Sequence, residues 1–150
     1  MKFHSDFRER MDFPFIIKTK LTQQLRGSYT MGKNLEHQFS MLVREIRKEY
    51  VGNGPKEIST RFVGNWAISE MKGNLTNVEK FMISSEQGQQ MVHQARTKMV
   101  KEIYKKQEVI DKFEALIGAR VVRLFSDINI EQDIAMTVFV FDPSVDLTAK

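Results

Sequence analysis

Cysteine is missing from all 150 residues. That excludes disulfides, a thiolate nucleophile and cysteine-ligated zinc, and it fits a reducing cytosol. Long apolar runs are missing too. None approaches the ~20 residues that cross a bilayer, so no direct membrane span is expected, and no stretch has the apolar core of a secretory signal. Histidine is scarce. His4, His37 and His93 have no second histidine, or carboxylate in a known ligand motif, at metal spacing. His37 and His93 fall on predicted helices and could meet in space, but a hydrogen-bonded or solvent-facing role is the expectation, and no metal is. There is no nucleophile elbow and no phosphate loop, so no catalytic or cofactor-binding residue is assigned.

Charge of one sign is also in short supply. The net charge is +4, but residues 1–32 hold six Lys/Arg against three Asp/Glu, and residues 33–150 hold 17 against 16. A nearly neutral body does not make a phosphate-binding face, so no nucleic-acid partner is expected.

What is present is scaffold, organised around Ala119–Asp142. From Arg120 to Ser126, Val122 and Leu124 alternate with Val121, Arg123 and Phe125. From Asp133 to Phe141, Ile134, Met136, Val138 and Val140 alternate with Ala135, Thr137, Phe139 and Phe141. Side chains alternate across a strand, so this is a hairpin with one strand apolar on both faces. It belongs at the centre of a sheet and needs cover on both sides. A second hairpin, Glu57–Val63 and Trp66–Gly73, turns at Gly64-Asn65, where glycine suits a type II′ turn. Its Ser59, Arg61, Ser69 and Lys72 place it toward an edge.

Leu35, Phe39, Leu42 and Ile46 form the stripe of a helix that Asn34 opens, with His37 at its third position. Arg44, Arg47 and Lys48 lie on its outer side, and Gly52-Asn53-Gly54-Pro55 ends it. Thr76 with Glu79 is a capping box for a short helix, and Ser84-Ser85-Glu86-Gln87 starts a longer one. On that helix Met91, Ala95, Met99 and Ile103 recur every four residues and are expected in the core. The pattern weakens across Lys105–Glu108, resumes with Ile110, Phe113, Leu116 and Ile117, and stops at Gly118. The order α-ββ-α-α-ββ predicts an α+β fold, a four-stranded, mostly antiparallel sheet packed with helices. Residues 33–143 then form one domain. Residues 1–32 carry Phe3, Phe7, Phe13 and Phe15 in polar surroundings, with a break expected at Arg26-Gly27-Ser28. They read as an interaction arm, a disordered extension, or an over-extended start ahead of Met31. Residues 144–150 should fray.

Candidate contact residues follow from surplus apolar surface. If helices cover one sheet face, a partner must bury the other, and a homodimer is the simplest partner. Trp66, the lone tryptophan, reads as a core or subunit-interface residue. Phe125, Ser126, Asp127, Ile128 and Ile130 complete the set, with Ile128 and Ile130 expected exposed in the final turn. Asp127 and Asp133 flank that turn and could pair for acid–base chemistry, although turn hydrogen bonding explains them as well. The alternative to a docking protein is a ligand sensor with a pocket between sheet and helices near Trp66.

One ordered series remains: Gly52-Asn53-Gly54-Pro55-Lys56, Lys72-Gly73-Asn74-Leu75-Thr76, Glu79, Glu86-Gln87-Gly88, Gly118-Ala119-Arg120-Val121-Val122 and Ser126-Asp127-Ile128. Over about residues 35–142 it resembles the MpsC-like family of small bacterial proteins. Asn77 and Phe125 depart from the family pattern. The resemblance implies a cytosolic accessory to a membrane system, peripheral to the membrane through a partner in that complex, linked to sodium-dependent membrane potential and inorganic-carbon uptake. It supplies no catalytic residue.

Overall fold

The computed structural model describes the backbone from Phe15 and the side chains from Gly32, in both cases through Lys150. Phe3, Phe7 and Phe13 of the suggested arm lie outside the described residues. Helix α1 (Phe15–Val51) runs unbroken through Arg26-Gly27-Ser28 and Asn34. The expected break and the expected Asn34 cap are therefore both corrected. One helical glycine costs about 1 kcal/mol, too little to stop a long helix. The far end stops where predicted. Gly52 adopts φ 84°, and its N–H donates to the Lys48 carbonyl at 3.1 Å.

Strands β1 (Glu57–Val63), β2 (Trp66–Lys72), β3 (Val121–Asn129) and β4 (Ile134–Phe141) form one antiparallel sheet in the order β1-β2-β4-β3. The final hairpin is thus not wholly central. Only β4 takes the middle with β2, while β3, which carries Arg123 and Asp127, is an edge. Gly64 has φ 58° and Asn65 is not in the positive-φ region, as a type II′ turn requires. A bulge between Val121 and Arg123 shifts the register of β3. It turns both Val121 and Leu124 toward the core and leaves Val122 exposed, correcting the simple alternation.

Helices α2 (Asn77–Met82), α3 (Glu86–Lys105) and α4 (Gln107–Ile117) connect the hairpins. The α2 capping box and the Ser85 cap of α3 form as predicted. Lys106 is extended and breaks α3 from α4, and Gly118 ends α4 at φ 77°. The buried face of α3 differs from the expected one. Gly88, Val92, Arg96, Val100, Ile103 and Tyr104 point inward, while Met91 and Met99 are exposed. A side chain at position 88 would bring its Cβ to 1.7 Å from the Met82 carbonyl oxygen. That close approach fits the offset of the inward stripe, one residue from the methionines.

The core is aromatic at its centre. Phe113 packs on Phe139 with ring centroids 4.5 Å apart, and Phe39 lies 5.1 Å from each. Such contacts add about 0.5–1.5 kcal/mol per pair beyond area burial. The C-terminal residues pack against the body. Leu147 is buried in a short 3₁₀ turn, Leu147–Ala149, its N–H donates to the Gly64 carbonyl at 2.7 Å, and Lys150 Nζ reaches the Ile117 carbonyl at 2.6 Å.

Candidate functional site

The described helices pack on one face of the sheet. Strand alternation sends Thr60, Ser69, Thr137 and Ser126 to that face, and register aligns them in one row across all four strands. Thr60 and Ser69 share a hydrogen bond of 2.8 Å, and Ser126 and Thr137 one of 2.9 Å. From α1, the Ser40 hydroxyl donates to Thr60 at 2.8 Å and Arg47 donates to Thr137 at 3.1 Å. Arg47 is only 5% exposed, which corrects its expected place on the outer side. Positions 36, 39, 40, 43, 46 and 47 share one helical face, so the spacing alone could have placed Arg47 inward.

The opposite face carries no described helix. Its register rows are Val63-Trp66-Val140-Arg123, Arg61-Ile68-Val138-Phe125, Ser59-Glu70-Met136-Asp127 and Glu57-Lys72-Ile134-Asn129. Trp66 is 48% exposed and Phe125 59%, with Val63 and Met136 similarly open. Arg61 and Arg123 sit toward one end of this face. Glu57 and Glu70 sit toward the other, where Lys72 approaches Glu70 at 3.6 Å, while Asp127 at that end turns its carboxylate round the edge to His93 of α3.

The candidate residues therefore separate. Trp66 and Phe125 share the bare face. Trp66 is half-exposed rather than in the core, on the face turned away from the described helices. Ser126 points to the covered side. Ile128 and Ile130 are buried rather than exposed, because β3 extends through Asn129 and moves the turn to residues 130–133. Asp127 accepts from its neighbour's Ile128 N–H at 2.8 Å and bonds His93 Nε2 at 2.9 Å. That amide, then His93, holds its carboxyl below the usual range. It also occupies an N–H of an edge strand. Asp133, at φ 51°, accepts from the Asn74 N–H at 2.8 Å and the Leu75 N–H at 3.1 Å. The two aspartates have separate structural partners rather than a shared one.

Sequence reasoning missed a joint built from the ordered series itself. Arg96 Nε donates to Glu79 Oε1 at 2.6 Å, and a second N–H of Arg96 reaches the Asn74 carbonyl at 2.7 Å. Burial pushes the Glu79 carboxyl up, but Arg96 and the Thr76 amide together outweigh it and hold its pKa low. The signal was Arg96 at four-residue spacing from Val92 and Val100. Among the described residues no group of three or more potential ligands could hold a metal, and no helix is long and apolar enough to cross a membrane.

Fold and surface together define a small two-layer α+β protein with one sheet face, partly apolar, that no described helix covers. Residues 32–143 match the family model described as "MpsC: Na+-translocating membrane potential-generating system", and the chain belongs to that family. It is 46% identical over 110 residues to the uncharacterized protein YrhF of Bacillus subtilis (strain 168), covering 73% of this chain and 89% of that one. No solved structure matches.

Proposed function

We propose that this chain is a non-catalytic accessory protein of a Na+-translocating membrane system, held at the cytoplasmic side through partners, and that it pairs with a second copy of itself through the bare sheet face. The observation that carries this is the exposure of Trp66 and Phe125 amid Ile68, Val138 and Met136 on a face no described helix covers. The charges favour a second copy as the occupant. A two-fold axis running across the strands lays the arginine end of one face over the acidic end of the other, a self-complementary contact. Four strands of seven or more residues present roughly 450 Å² of sheet plane. Two such faces meet at the small end of specific interfaces, which suits a reversible dimer of micromolar affinity. The family description supports the membrane system as the setting.

Light scattering across a concentration series tests the pairing. The wild type should run as a dimer at tens of micromolar, and Phe125→Glu as a monomer. A wild type that stays monomeric throughout that range would overturn the pairing.

A further inference from the structure

We propose that the cavity beside Arg47, between α1, α3 and strands β3 and β4, is a binding site for one monoatomic anion of the halide class. Arg47 is buried, and its guanidinium donates to the Thr137 hydroxyl and lies beside the Tyr104 phenol. Its Nε has no partner, and no carboxylate lies within ion-pair distance of it among the described residues. The Thr97 hydroxyl, also buried without a partner, lines the same cavity. Arg96 lines it too, but its charge is already matched by Glu79.

The other nearby groups do not supply a counter-charge. Tyr104 lies under Arg47 at 5.6 Å, and burial pushes its phenol up despite the charge and hydrogen bonding of Arg47, so it stays neutral and supplies no counter-charge. Asp127 also lines the cavity, but its carboxylate is 77% exposed, turned to His93 and beyond ion-pair distance of Arg47. A guanidinium buried without an anion is costly, and the described residues supply none within ion-pair distance here. The space is about 10 Å³, room for the centre of one small group, which favours a monoatomic anion over a polyatomic oxyanion. This site is on the covered side of the sheet and does not depend on pairing.

Bromide soaked into crystals of the full chain tests it directly. The expected result is an anomalous peak within about 3.5 Å of Arg47 Nε and Thr97 Oγ1. In solution the melting temperature should rise by about 3 °C from gluconate to chloride at equal ionic strength, at roughly ten times the dissociation constant. Arg47→Met should abolish that difference. Should Arg47→Met not fold, Thr97→Val should shift the chloride response about tenfold to higher concentration. A water without bromide at the site, or equal melting in chloride, gluconate and sulfate, would overturn the proposal.

Discussion

On the helix side of the sheet the middle row is Thr60, Ser69, Thr137 and Ser126; on the bare side the adjoining row is Arg61, Ile68, Val138 and Phe125. Thr60, Ser69 and Thr137 are buried, whereas Phe125 is exposed and Ile68 and Val138 are only half-buried. The buried row is tolerable because neighbouring strands place hydroxyl beside hydroxyl, and α1 adds Ser40 and Arg47. The exposed row has no such internal remedy, since apolar surface is relieved only by being covered. The covered face therefore holds the fold together, and the bare face is left for another surface.

Substitutions should separate the two roles. Glu79→Ala leaves Arg96 buried without its partner and removes the capping box, so it should cost about 3–5 kcal/mol, read by calorimetry as a lowered melting temperature. The pH dependence follows from the same pair. The Glu79 pKa is lowered on folding, so its contribution is complete above the ordinary glutamate value of 4.5 and is lost as the pH falls through the lowered value. Acid titration of Glu79→Gln should lack that part of the transition. On the bare side, Phe125→Glu should weaken pairing at least 100-fold, about 3 kcal/mol. The monomer's melting temperature should barely change, because Phe125 is more than half exposed. Thr137→Val interrupts the hydroxyl row and frees Arg47, which should cost about 1–3 kcal/mol with pairing unchanged. Asp127→Asn weakens an exposed ion pair and should stay within about 0.5 kcal/mol of wild type by denaturant titration. A variant of the covered row that abolished pairing while leaving stability intact would blur the contrast.

Much of the layering was legible in the residues. Alternation in Ile134–Phe141 showed a strand apolar on both sides, and Thr76 with Glu79 marked a helix start. Individual burial was harder to read. Arg47 and Arg96 are charged, and their inward positions emerge only when helical spacing is given priority over residue type. Met91 and Met99 satisfied a four-residue period that belonged to the neighbouring positions, because Gly88 sits against the Met82 carbonyl. Ile128 and Ile130 were misplaced because nothing local marks how far β3 extends before it turns. Trp66 was weighed as core or interface, and its exposure depends on which face the helices choose. Alternation within a strand does not fix that choice. The ordered series turned out to mark joints: Gly118 ends a helix, Asn74, Glu79 and Arg96 meet, and Asp127 guards an edge.

The absence of cysteine allows one label at a chosen place. A spin label attached to Met136→Cys, near the middle of the bare face, reports directly on what covers it. Stacked sheets lie about 10 Å apart, so the labels in a pair of chains should couple strongly at tens of micromolar, and the coupling should vanish in Phe125→Glu. Uncoupled labels at that concentration, or coupling that survives Phe125→Glu, would contradict a second copy on this face.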